Sequence, residues 1–219
     1  MLFSLFMSAQ SSEQYVRCVA FYNLENLFDT IDDPKIDDAD FLPGGYYKWT
    51  EERYHEKLAN MAEVIRAMKE ANGKWHAILG VAEVENKGVL EDLVADPQIA
   101  EANYQIVHYD SPDGRGIDVG LLYDPSVFKL AESKKIPYTF KGTSIEVDLS
   151  EQEQRSFRTR DALMARGTIG GEDFAFYVMH LPSRIGGKGG DLRSRGAEIC
   201  YNHAQKLMKE FPGIKIAAM

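Results

Sequence analysis

The stretch Ala77-Ile-Leu-Gly-Val-Ala-Glu83-Val-Glu85 decides how the chain is read. Apolar and small residues run without alternation from Ala77 to Ala82 and then meet a carboxylate. A strand with no polar face is covered on both sides, which places it inside a layered α/β protein. Its C-terminal end is where such folds gather ligands, so Glu83 stands at a strand end that can carry chemistry.

Upstream lies a well-signalled helix. Thr50 is a candidate N-cap, and Glu51 and Glu52 sit in the first turn, where the helix dipole favours acids. Tyr54, Leu58, Met61, Ile65 and Met68 recur on one face, and Gly73 stands past the end. An acidic loop with Pro and Gly, Asp29 to Gly45, precedes that helix. A first strand is predicted from Tyr15 to Leu24, where Val16, Cys18, Ala20 and Tyr22 alternate with their neighbours.

Downstream, Asn86 can cap a short helix bearing Val89, Leu90, Leu93 and Val94. Strands are predicted at Tyr104–Tyr109, Ile117–Tyr123 and Val127–Ile136, then a hairpin of Asp161–Thr168 and Phe174–His180 turned at Gly170-Gly171. The Gly-rich loop Ile185–Gly190 leads into a helix through Ala197, Cys200, Ala204 and Leu207, ended by Pro212-Gly213. A last apolar strand runs from Ile214 to Met219. This order predicts an α/β sandwich, and the absence of G-x-G-x-x-G after the first strand argues against a dinucleotide fold.

Composition bounds the rest. The 219 residues are 44% hydrophobic and 27% charged, which suits one globular domain or most of one. A net charge of −9 disfavours a protein that holds nucleic acid by counterion release, so no stable basic nucleic-acid surface is expected. Cys18 and Cys200 fit no metal or redox spacing; two separate buried thiols are expected, with a disulfide left open. Residues 1–14, an apolar run followed by small and polar residues, read as a signal-peptide remnant or an N-terminal extension. Export to a periplasmic or extracellular space follows from that reading, and no membrane span is expected.

Asn23, Glu83 and His180 each stand where an apolar run stops. Taken singly, an Asn is a turn former, a carboxylate a capping group and a His a satisfied surface residue. Their order is the stronger signal. Phe21-Tyr-Asn-Leu-Glu25, Leu79-Gly-Val-Ala-Glu-Val-Glu85, Gly116-Ile-Asp-Val-Gly-Leu-Leu-Tyr123 and His180-Leu-Pro-Ser-Arg184 with Gly186-Gly187 resemble, in sequence order, motifs of the endonuclease/exonuclease/phosphatase (DNase I-like) superfamily. The resemblance covers nearly the whole chain from Tyr15 onward.

It implies an incomplete four-layer α/β sandwich: two packed mixed sheets with helices outside. It also implies a Mg2+-dependent phosphoester hydrolase, with Mn2+ or Ca2+ as alternatives. Glu83 would bind the metal, because a hard cation prefers oxygen ligands. Asn23 would orient phosphate or a metal-bound water, and His180 would bind phosphate or move a proton. Asp118 is the expected acidic partner of His180, against an alternative pairing with Arg115, and Arg184 is expected to contact phosphate. Glu85 would share the face of Glu83 if the strand continued.

The family pattern also includes a Gly-Asp-Phe-Asn type segment and an Asp-His pair that this sequence does not contain. Residues 15–219 are therefore expected to be a partial domain with impaired activity. The expected substrate is a phosphodiester, with DNA or RNA bound transiently. The alternatives are a phosphomonoesterase or phospholipase-type member, and a catalytically silent binding module.

Overall fold

The computed structural model describes residues 17–184 and 189–219. The expectations for residues 1–16 and for Gly186-Gly187 lie outside these. Local chemistry sets most elements where the pattern places them. Strand β1 (Val19–Leu27) leads through the acidic loop to α1 (Glu51–Asn72). The Thr50 hydroxyl accepts from the Arg53 N–H, and Gly73 closes α1 at φ 71°, a left-handed position natural to glycine. Strand β2 (Ile78–Val84) is followed by α2 (Lys87–Ala95), whose Asn86 cap accepts from the Val89 N–H.

Strands β3 (Gln105–His108), β4 (Asp118–Tyr123) and β5 (Phe128–Ile136) follow. A short helix, α3 (Glu151–Ser156), is closed by a capping box between Ser150 and Glu153. Strands β6 (Ala162–Ile169) and β7 (Glu172–Val178) turn through Gly170 and Gly171, both at positive φ as a tight hairpin requires. Helix α4 (Gly189–Glu210) and β8 (Lys215–Ala218) complete the described chain.

The strands form two mixed sheets, ordered β1-β2-β4-β3 and β5-β6-β7-β8. Parallel pairing joins β1 to β2 and β7 to β8; the remaining pairs are antiparallel. Three apolar clusters separate four layers. Leu58, Ile65, Leu79, Val81, Leu90 and Leu93 seal α1 and α2 to the first sheet. Ile78, Ala82, Leu121, Phe128, Phe176 and Val178 fill the space between the sheets. Met164, Ala175, Tyr177, Cys200, Ala204 and Leu207 join the second sheet to α4. The two-sheet sandwich with helices outside is thus the observed fold.

Both cysteines are free; Cys200 is buried but Cys18 only half-buried. No described helix is long and apolar enough to cross a membrane.

Candidate active site

Strand parity fixes where each side chain can point, because successive residues face opposite sides of a sheet. In β1, Ala20, Tyr22 and Leu24 pack toward the helices, which leaves Asn23 on the face turned to the second sheet. In β7, Phe176 and Val178 point between the sheets, so the same alternation carries His180 there. In β2, Leu79 and Val81 face the helices, and unbroken alternation would send Glu83 the same way.

A bulge prevents this. Glu83 has φ 61°, and Val84 takes the helix-facing place instead. Pairing of β2 slips between Ala82 and Val84 against β4, and β1 slips between Asn23 and Leu27 against β2. In β1 the irregularity holds Glu25 and Asn26 at φ 51° and 61°. Lys57 of α1 braces it by donating to the carbonyls of Glu25 and Asn26. The Asn23 Oδ1 accepts from the Glu25 N–H at 2.8 Å.

These bends bring three predicted residues together. The Asn23 amide donates to Glu83 Oε1 at 3.1 Å, and His180 Nε2 stands 3.3 Å from the same oxygen. The Glu83 and His180 side chains are 20% and 22% exposed, sheltered but reachable. Burial first, and the Arg160 guanidinium second, hold the His180 imidazole below its ordinary pKa, while Glu83 pulls the other way. His180 is therefore neutral near pH 7, with the carboxylate favouring a proton on Nε2. Its Nδ1 is buried and has no hydrogen-bond partner among the described residues.

The donor set suits a hard cation. Glu83 supplies a carboxylate whose Oε2 has no protein partner among the described residues, while the Asn23 amide N–H holds Oε1 and its amide oxygen accepts from the Glu25 N–H. Glu85 does not share the face: it is buried, accepts from the Asp29 N–H at 2.8 Å, and is pushed up to about 7, chiefly by burial.

Asp118 is not brought to His180. In β4, Val119 and Leu121 point between the sheets, so Asp118 faces the opposite side. There it accepts from the Ser111 N–H at 2.9 Å and lies 3.4 Å from His108 Nε2. The alternative pairing with Arg115 is also not found, since Arg115 is joined to Asp113 at 3.3 Å. Arg184 is exposed and makes no hydrogen bond or ion pair among the described residues.

The residue that anchors the histidine loop was not anticipated. The buried Arg160 guanidinium donates to the His180 carbonyl at 3.2 Å, the Leu181 carbonyl at 3.3 Å and Asp113 Oδ2 at 3.0 Å. The signal in the sequence was a charged Arg158-Thr-Arg160-Asp161 run directly ahead of an apolar strand.

A two-sheet α/β sandwich with an Asn–Glu–His cluster at strand ends, on the side between its sheets, defines a DNase I-like protein. The chain belongs to the Endonuclease/Exonuclease/phosphatase family, whose sequence model matches residues 18–219. Among solved structures it is similar to an endonuclease/exonuclease/phosphatase family protein from Bacteroides thetaiotaomicron, at 16% identity and TM-score 0.56, covering 92% of this chain and 62% of that one. It is also similar to ANGEL2, a 2',3'-cyclic phosphatase, at 13% identity and TM-score 0.53, covering 75% and 43%. TDP2 from Caenorhabditis elegans gives 19% identity and TM-score 0.50, covering 74% and 41%. The chain thus spans roughly half the length of these proteins, and at such identities the likeness concerns the fold. No curated protein matches the sequence.

Proposed function

We propose that the chain is a metal-dependent phosphoester hydrolase acting on phosphodiesters, nuclease-like in its substrate class. The observation that carries this reading is the single oxygen, Glu83 Oε1, shared by the Asn23 amide and the His180 imidazole. Glu83 would hold the cation, Mg2+ by preference and Mn2+ or Ca2+ as alternatives. Such an ion, when bound, supplies positive charge to phosphate oxygens and lowers the pKa of a bound water.

The protein's own groups do the remaining work. The Asn23 amide fixes the Glu83 carboxylate through Oε1 and leaves Oε2 without a partner among the described residues. His180, neutral near pH 7, has the protonation state of a group that takes or gives a proton during transfer. Arg160 holds the His180 backbone and so sets where the imidazole points. With a net charge of −9, nucleic acid would be held transiently rather than stored. Export belongs to the same reading, on the apolar start of the sequence; recovery of the protein solely from the cytosol would overturn it.

The test compares bis-p-nitrophenyl phosphate and single-stranded DNA with p-nitrophenyl phosphate, inositol phosphates and sphingomyelin, with Mg2+ and with a chelator. Glu83→Gln keeps an acceptor for Asn23 but removes the charge. It is expected to lower Mg2+-dependent hydrolysis at least ~100-fold, about 2.7 kcal/mol of barrier. Turnover that survives the chelator or this variant would refute the reading. Preference for a monoester or a lipid would move the substrate class, and Mg2+ binding without turnover would mark a binding module.

A further inference from the structure

A second cluster lies on the other face of the first sheet. His108 pairs with Gly120 across the β3–β4 ladder, and the same register continued would set Asp110 opposite Asp118. Like charges placed directly across a strand pair repel. Between these two carboxylates stands an imidazole. His108 Nε2 lies 3.4 Å from Asp118 Oδ2, and Nδ1 lies 3.9 Å from Asp110 Oδ1. One ligand atom from each of the three falls within 4.8 Å of the other two.

The histidine itself points to a missing ligand. Its side chain is only 3% exposed, and Nε2 is buried with no hydrogen bond among the described residues. Asp118, equally buried, uses Oδ1 on the Ser111 N–H and leaves Oδ2 toward the ring. A simple His–Asp pair would close to about 2.9 Å, the usual N–H···O distance. The observed gap is wider.

We propose that His108, Asp110 and Asp118 form a metal site, separate from Glu83, for a Zn2+-type ion. One edge of the cluster, His108 Nε2 to Asp118 Oδ2, already has the spacing of a zinc site, and the exposed Asp110 has to close on it. Zinc at ~2.0–2.1 Å from its ligands in a tetrahedron puts neighbouring donors about 3.3 Å apart, close to the 3.4 Å seen. Magnesium at similar bond lengths in an octahedron needs about 2.9 Å and oxygen donors alone. An imidazole with two carboxylates also suits zinc better than magnesium or calcium.

His108 and Asp118 approach from the buried side. Asp110, with a side chain 91% exposed, is free to swing in from solvent. Asp110 and Asp118 line a cavity of about 340 Å³ shared with Asp33, Glu85 and Asn86, which provides the entry path and room for a water ligand. The ion would staple the two ends of the 109–117 loop. That loop carries Asp113, the partner of Arg160, so the staple would stiffen the support of His180 without touching its side chain.

Zn2+ alone is the probe, titrated into the 219-residue chain against a chromophoric chelator. Asp118→Asn keeps the Ser111 contact through its amide oxygen. It is expected to remove one zinc equivalent in both the wild-type and the Glu83→Gln background. Asp110→Asn, exposed and harmless to folding, is expected to weaken the same equivalent at least ~10-fold. The melting temperature should rise with Zn2+ in Glu83→Gln but not in the Glu83→Gln/Asp118→Asn double variant. Absence of any bound zinc, loss of all zinc in Glu83→Gln, or unchanged binding in both aspartate variants would each overturn the proposal.

Discussion

Replacing Arg160 by Met tests whether the histidine loop is held by a buried charge. The side chain is 8% exposed and joins three acceptors on two segments: Asp113 Oδ2, the His180 carbonyl and the Leu181 carbonyl. Methionine keeps most of the apolar stem but removes all three bonds. Hydrogen bonds involving a charged group contribute roughly 1.5–3 kcal/mol, and breaking a buried pair costs about 3–5 kcal/mol when the survivor is left alone.

Asp113 is not left alone. It keeps the Arg115 N–H at 3.0 Å and Arg115 Nε at 3.3 Å, although that arginine is 59% exposed and adds little. The freed carbonyls lie in a loop that water can reach. The expected loss is therefore about 3 kcal/mol, toward the low end of the buried-pair range. For a chain of this length that lowers the melting temperature by roughly 6–12 °C. Urea unfolding of the wild type, Asp113→Asn, Arg160→Met and the double variant gives the assay. A coupling of about 1–2 kcal/mol is expected between the two sites. Arg160→Met within about 0.5 kcal/mol of the wild type, in the range of an ordinary surface change, would refute the anchoring. An additive cycle would refute the Asp113 pairing.

Burial holds His76 below its ordinary pKa, so the folded chain keeps it neutral while the unfolded chain takes up a proton as pH falls through about 6.5. Its contribution is present above that pH and lost below it; His76→Gln should flatten the fall in urea midpoint between pH 7.5 and 5.5, and an unchanged slope would exclude the residue. In β6, a Cβ on Gly167 would lie 2.2 Å from the Lys129 carbonyl oxygen and 2.7 Å from the Phe128 ring, so Gly167→Ala should cost about 1–3 kcal/mol. Gly190, with nothing within 4 Å of the same position among the described residues, should tolerate Ala without loss in the same denaturation assay. At Glu83, with φ 61°, Gly relieves a strain that Ala retains. Glu83→Gly should therefore be more stable than Glu83→Ala by about 1 kcal/mol, and equal stabilities would argue against the bulge.

The sequence made the elements legible because each rests on local chemistry. Thr50 and Gly73 bracket α1, Asn86 opens α2, and the paired glycines turn the β6–β7 hairpin. Asn23, Glu83 and His180 were legible through the order of motifs that resemble the family, each standing where an apolar run stops. What failed was side-chain direction. Asp118 sits in the expected strand, yet its parity sends it to the helical side, a fact set by which neighbours are buried. Glu85 would share the face of Glu83 only if the strand continued, and β2 ends at Val84, after which the Asp29 N–H takes the Glu85 carboxylate. Arg160 was missed because its three partners are distant in sequence, and nothing in the chain's periodicity records them. Helix α3 is too short to show a period and rests on its capping box alone.

The bulges explain why the site is built as it is. A straight β2 would align Glu83 with Leu79 and Val81, driving a carboxylate into the apolar layer beneath α1 and α2. An unpaired charge there would be costly enough to be neutralised instead. The left-handed residues avoid this at about 1–3 kcal/mol each, the usual cost of such conformations. They also turn the carboxylate to the side on which Asn23 and His180 already lie. Two strands are distorted at the same level, at Glu25 and Asn26 in β1 and Glu83 in β2, and Lys57 braces the first distortion from α1. Burial lowers the Lys57 pKa while Glu25 and Glu83 raise it, so the lysine sits in the field of the site it supports. Relaxed strands would make a better sheet. The same strands would leave Asn23 and His180 facing each other with no carboxylate between them.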